Sequence, residues 1–190
     1  MMQSYSVDKN TYVKLLDLSD ADALFDLVVK NRDHLGKWLQ FAHKTKSIED
    51  TRQFIAKSLY QFATNNGYWT GIWHNGKLAG AIGFLYFNWD DKLTEIGYYL
   101  AAEFEGKGIM TKTCKTFIEN AFYQLGLNRV EIKIASENVK SRNVMRRIGA
   151  KEEGTLRQAE WFIDRYVDKV VYGVLKEEWN LMQQRTKNEV

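Results

Sequence analysis

Hydrophobic and polar positions along this chain follow two periods, and each switch between them marks an element. Near Tyr12–Leu16 the pattern reads as a strand, and Ser19, with Asp22 three residues later, then offers a helix N-cap. Ala23, Leu24, Leu27 and Val28 follow on one helical face. Ser47 and Asp50 repeat the capping pattern before a second helix, whose apolar stripe is Ile48, Phe54, Ile55, Leu59 and Phe62. The period then drops to two. Asn75-Gly76 separates Tyr68–Trp73 from Lys77–Phe87, the strongest short-range hairpin signal, and a turn around Trp89–Asp91 leads into Leu93–Leu100. These segments predict a three-stranded antiparallel meander.

Helical spacing returns in "EGKGIMTKTCKTFIENAFYQL", through Met110, Cys114, Phe117, Ile118, Ala121, Phe122 and Leu125. In "LNRVEIKIA", Val130, Ile132 and Ile134 alternate as in a strand. The intervening helix makes that strand parallel to Leu93–Leu100 through a right-handed crossover. Val139–Ile148 reads as a short helix ending at Gly149, and Lys151–Phe162 with Arg165–Leu175 as a closing hairpin. The expected fold is α/β (α+β): a mixed, mainly antiparallel twisted sheet with a central parallel strand pair, flanked by helices. There is no proline, linker or repeat, and 190 residues, 45% of them hydrophobic, suffice for one core, so 1–190 is expected to be a single domain.

Composition removes several function classes. The net charge of +3, without a block of five or six basic residues, argues against a nucleic-acid partner. The N-terminus has no apolar core, and no run of about 18 apolar residues exists, so neither a signal peptide nor a membrane partner is expected. One cysteine excludes an internal disulfide and fits a reducing, cytoplasmic compartment. Cys114 falls on the helical apolar stripe and reads as an inert buried thiol, with no adjacent base for a covalent mechanism. His34, His43 and His74 lack ligand spacing, so no metal site is expected.

The candidate chemistry centres on Glu105-Gly106-Lys107-Gly108-Ile109-Met110, directly before a helix. A helix N-terminus presents unpaired N–H groups and the positive end of a dipole, and the glycines let further N–H groups converge on an anion. Lys107 adds a positive charge. The loop is neither G-x-G-x-x-G nor a P-loop, and alone it suits an ordinary turn equally well. Its setting between two parallel strands is what raises it, because ligands bind where such strands diverge.

With "TEIGYYL" before it and "NRVEIKIASENVKSRNVMRRIGAKEEG" after it, "AEFEGKGIMTKTCKTFIENAF" resembles the GNAT superfamily of N-acetyltransferases. "NRDHLGKWLQF" and "EEGTLRQAEWFIDRYVDKVVYGVL" are similar to the serine-type members of the branch that acetylates the N-termini of ribosomal proteins. The resemblance runs from Tyr12 to Trp179. The superfamily loop is Arg/Gln-x-x-Gly-x-Gly/Ala. Gly108 matches it while Glu105 and Met110 depart, so the backbone cradle carries over and the contact of side chain 105 does not. The resemblance implies acetyl-coenzyme A as donor, its pyrophosphate on residues 105–110, Asn138 on the coenzyme, and direct transfer in a ternary complex. It further implies that Ser141 protonates the departing thiolate, that Glu160 takes the amine proton through water, and that the protein is a homodimer.

Beside the resemblance, the residues allow their own readings. Backbone N–H groups at Ile96, Gly97 and Tyr98 suit an oxyanion hole, with Gly97 marking a bulge or close approach, or else filling tight sheet packing. Ser136, Asn138 and Ser141 equally suit helix capping. Glu160, in "LRQAEWF", would gain basicity by desolvation against Trp161 and Phe162. Glu95 competes as base or substrate contact, or forms a cross-strand ion pair. Trp38 is the preferred substrate contact among Trp38, Trp69, Phe84 and Tyr98, which otherwise read as core. Leu35, Trp38, Leu39 and Phe41 crowd one loop-like segment that a partner or the core should cover. As acceptor the resemblance implies a protein N-terminal α-amine starting with Ser or Ala, and the residues leave a small amine open beside it. A non-catalytic acyl-coenzyme A module is disfavoured, because it needs neither Ser141 nor Glu160.

Overall fold

Strands form where the alternation places them. In the computed structural model, which describes residues 4–188, they are β1 (Tyr5–Asp8), β2 (Thr11–Leu15), β3 (Tyr68–His74), β4 (Lys77–Asn88), β5 (Leu93–Leu100), β6 (Arg129–Ala135), β7 (Lys151–Phe162) and β8 (Arg165–Leu175). They pair in the order β1-β2-β3-β4-β5-β6-β8-β7, and only β5 and β6 run parallel. The β3–β4 turn uses Asn75 and Gly76 at φ 50° and 75°, the left-handed pair that a two-residue hairpin requires.

The helices are α1 (Ala21–Lys30), α2 (Arg32–Leu35), α3 (Gln40–Lys44), α4 (Ile48–Ala63), α5 (Ile109–Glu119), α6 (Val139–Ile148) and α7 (Lys176–Asn188). Ser47 and Asp50 form the expected capping box on α4. The cap expected at Ser19 lies elsewhere: Asp17 and Asp20 box a 3₁₀ turn at Leu18–Asp20, and α1 continues from it. Strand β1 and helices α2, α3 and α7 are additions to the expected elements. The Arg32–Phe41 segment is helical at its two ends and loop-like between them, where residues 36–39 form the turn that carries Trp38. It folds into α2 and the start of α3, with Leu35 buried and Leu39 and Phe41 packed on the core, so the core covers it.

Side chains alternate across a strand, and β5 shows what lies on each face. Tyr98 reaches α6, whereas Tyr99 packs on Phe41 of α3 and on Trp69, which in turn packs on Phe54 of α4. Helix α5 lies on the Tyr98 face, where Phe117 meets Phe84 with ring centroids 4.9 Å apart. Ile109, Met110, Cys114, Phe117 and Ile118 are all buried. At about 1.5–3 kcal/mol for each large apolar side chain, this stripe anchors the start of α5 firmly.

The feature that makes a site is a divergence. β5 and β6 pair only from Leu93–Glu95 to Arg129–Glu131. Beyond that, β5 stays with β4 alone and β6 with β8 alone, so the two open into a V. Both arms end in loops that lead into helices, α5 from one and α6 from the other.

Candidate active site

The glycine loop closes the β5 arm. Gly106 and Gly108 take φ 74° and 73°, in the left-handed region that glycine alone occupies without strain. A Cβ at either would meet nothing within 4 Å, so backbone conformation rather than space requires glycine here. The first helical bond of α5 runs from Lys112 N–H to Gly108 O at 3.1 Å, leaving the N–H groups of Ile109, Met110 and Thr111 without helical partners. Those of Gly106, Lys107 and Gly108 make no backbone hydrogen bond among the described residues. Ile109 and Met110 bury their side chains, so only their amides face a ligand. The loop is held from behind by buried Asn31, whose Oδ1 accepts from Ala102 N–H at 2.9 Å. Glu105 is engaged by Lys140 Nζ at 2.5 Å and His34 Nε2 at 3.3 Å. The Lys107 ammonium lies 5.3 Å from the centre of the Phe104 ring.

Within the V, successive N–H groups of a strand point to opposite edges, so at least one of Ile96, Gly97 and Tyr98 directs its N–H away from β4. Of the readings Gly97 allows, a bulge is not found at this residue but on the opposite strand. Gly97 pairs with Gly83, and the extra residue is Leu85, between Phe84 and Tyr86 of β4. A Cβ at Gly97 would come within 2.9 Å of Leu85 and 3.1 Å of Trp69, so this glycine fills tight packing.

Asn138 caps α6, its Oδ1 accepting from Ser141 N–H at 3.1 Å. The Ser141 hydroxyl does not cap; its Oγ lies 2.8 Å from the Tyr98 hydroxyl. Burial pushes the Tyr98 phenol well above its ordinary range. Arg142 fixes the approach to α6, donating to Ser136 O and to Tyr172 Oη, both at 3.0 Å. The sequence weighs Tyr98 only as a backbone donor or an aromatic wall; the contact of its hydroxyl with Ser141 is what the reading missed. Its signal was alternation, since Tyr98 shares the face of Thr94 and Ile96, toward the crossover helix.

At the end of the β6 arm is a cleft of about 190 Å³, lined among others by Trp38, Ser136, Glu160, Phe162, Arg165 and Lys169. Trp38 and Glu160, distant in sequence, thus line one cleft. Gln40 of α3 donates to Trp161 O, tying the Trp38 segment to the β7–β8 hairpin. β7 slips register between Leu156 and Glu160, where Gln158 takes φ 50° and its N–H donates to Asp168 at 2.8 Å. Of the two residues expected to desolvate Glu160, Phe162 is buried and lines the same cleft, whereas Trp161 is 52% exposed and packs on Tyr166, because neighbouring strand residues face opposite sides. Glu160 is ion-paired with Lys169.

Glu95 is not among the cleft residues. It pairs with Lys133 at 2.7 Å, the cross-strand ion-pair reading. Cys114 is buried and its thiol pushed up by that burial, as an inert core thiol should be. His34, His43 and His74 bond separately to Glu105, Gly36 and Thr11.

The family model of the acetyltransferase (GNAT) domain matches residues 12–151. The chain belongs to the GNAT acetyltransferase family. It is therefore an N-acetyltransferase, and acetyl-coenzyme A is its acetyl donor. The chain is 40% identical to the putative ribosomal N-acetyltransferase YdaF of Bacillus subtilis (strain 168), over 94% of this chain and 98% of that protein. It is 27% identical to the ribosomal-protein-serine acetyltransferase of Escherichia coli (strain K12), over 90% and 96%. Among solved structures it resembles RimL, a ribosomal L7/L12 α-N-protein acetyltransferase in complex with coenzyme A. The TM-score there is 0.88 at 26% identity, covering 91% of this chain and 98% of that one. The antiparallel sheet with one parallel pair is the architecture that these GNAT structures share.

Proposed function

We propose that this GNAT member acetylates the N-terminal α-amine of a ribosomal protein beginning with Ser or Ala, by direct transfer in a ternary complex. The observation that carries the reading is the cleft at the β6 arm, where Trp38 and Glu160 converge. Its lining includes exposed Tyr166, at 59%, which suits an acceptor that continues beyond the cleft as a peptide. The relatives named for ribosomal proteins support the same acceptor.

Each residue then has a task. The open amides of Gly106–Met110 hold the coenzyme pyrophosphate, with Asn138 beside it. An N–H in Ile96–Tyr98 polarises the thioester carbonyl; losing one such donor typically costs about 10²–10³ in rate. An α-amine titrates near about 8, so part of it is already neutral at pH 7. Glu160, positioned by Lys169, takes the proton through water as nitrogen attacks. Ser141 supplies a proton to the departing thiolate.

A small-amine acceptor is the second reading. It is favoured by the modest cleft, about 190 Å³, which admits little more than one residue or the end of a polyamine. Thiol release from acetyl-coenzyme A, measured with ten-residue peptides starting in Ser, Ala or Met and with polyamines and amino sugars, separates the two. Turnover of Ser- and Ala-peptides well above the small amines is expected. If small amines turn over while the peptides neither react nor inhibit, the small-amine reading replaces the first.

A further inference from the structure

Tyr98 is a polar side chain of the V to which the chemistry above gives no task. Its hydroxyl lies 2.8 Å from Ser141 Oγ and 3.3 Å from Ser141 O, so both of its near partners belong to one residue. The phenol has one proton, and the serine hydroxyl one proton and two lone pairs. Ser141 O can only accept. Either hydroxyl can donate across the 2.8 Å contact; its shortness and the phenol's greater intrinsic acidity favour Tyr98 as donor to Ser141 Oγ over the longer contact to Ser141 O. The Ser141 proton is then excluded from the direction of Tyr98.

We propose that Tyr98 is a positioning residue for acetyl transfer, holding Ser141 Oγ as an acceptor on one side so that its own proton points into the V. The inference rests on the reading of Ser141 as the group that protonates the thiolate. Both ends of the arrangement are fixed. Tyr98 pairs through its backbone with Ile82 of β4, and the Ser141 amide is held by the Asn138 cap. Burial keeps the phenol in its protonated, donating form at any working pH. A hydroxyl aligned before the reaction needs no rotamer search when negative charge appears on sulfur.

The step balances. The amine nitrogen forms the new C–N bond with its lone pair, the C–S bond breaks with its electron pair going to sulfur, and the Ser141 proton moves to that sulfur. Water restores the Ser141 proton, while the amine proton leaves through Glu160 to water. The net change is one proton from amine to thiol, and Tyr98 keeps its own throughout.

Tyr98→Phe removes the hydroxyl and keeps the ring. The expected result is a kcat about tenfold lower, with KM for acetyl-coenzyme A within twofold of the parent enzyme. Ser141→Ala should lose at least as much, and Tyr98→Phe/Ser141→Ala should be no slower than Ser141→Ala alone. A merely structural role would make the two losses multiply, because Tyr98 would then act without Ser141. Calorimetric binding of coenzyme A to each variant verifies that the site is folded. Full kcat in Tyr98→Phe beside a tenfold loss in Ser141→Ala overturns the role of Tyr98 and leaves that of Ser141 standing. Full kcat in Ser141→Ala overturns both. Multiplicative losses overturn the positioning role.

Discussion

The glycine loop and the cleft, at the two ends of the V, are made of different material. At the loop the available groups are backbone amides, held by left-handed glycines and by a helix whose apolar stripe is buried in the core. At the cleft they are side chains, Trp38 and Glu160, on the turn between α2 and α3 and on an edge strand that is otherwise exposed along most of its length. Backbone amides offer the same donors whatever the neighbouring side chains are, which suits a donor substrate common to a family. Side chains on an edge strand can change without disturbing the sheet, which suits an acceptor that differs between members. The comparison teaches that affinity for the coenzyme and choice of acceptor are separable by mutation.

The largest effect should come from the cleft. Glu160→Gln should slow turnover of a Ser-peptide by about a hundredfold near pH 6.5, the usual scale for losing a general base. The deficit should shrink as pH passes about 8 and the neutral α-amine accumulates unaided. A deficit that stays constant from about pH 6 to 9.5 removes Glu160 from the role of base.

Next comes the loop. Gly108→Val forces a β-branched residue to φ 73° and puts branches where the backbone lies open. Coenzyme binding should weaken more than about tenfold, or 1.4 kcal/mol, in a protein that remains folded. Calorimetry giving unchanged affinity would sink the loop as the phosphate seat. Smaller still, Trp38→Ala should raise KM for a peptide by about fivefold, roughly 1 kcal/mol of lost apolar contact, and leave coenzyme affinity alone. An equal effect on both ligands would mean that the two regions are not separable.

The smallest effect is expected at Cys114. Burial raises the folded thiol, so below that value it stays protonated, and the reactive thiolate is scarce even at pH 8.5. Iodoacetamide should leave it unmodified in the native protein and label it once denaturant is added. Rapid native labelling would place Cys114 outside the core.

Legibility in the sequence follows the same divide. The glycine loop, Asn75-Gly76, the Ser47–Asp50 box and Gly149 all showed, because each is fixed by residues a few positions apart. Elements that depend on distant partners did not. Helix α7 carries few apolar residues, yet Trp179 is buried at 1%, and β1 is four residues long and only partly covered. The Lys169 partner of Glu160 and the Tyr98 partner of Ser141 belong to other elements, 9 and 43 positions away, and only the folded register brings them together. The bulge went to Leu85 rather than Gly97 because either strand of an antiparallel pair can carry the extra residue.

The central claim, that a protein α-amine accepts the acetyl group, is tested most directly by a pair of peptides. Both are ten-residue peptides starting with Ser and containing one lysine, and one of them has its α-amine blocked. Coenzyme A release should proceed with the free peptide, place the acetyl group on the terminal nitrogen by mass spectrometry, and be absent with the blocked one. Equal rates with both peptides, or acetylation at the lysine, would contradict the account.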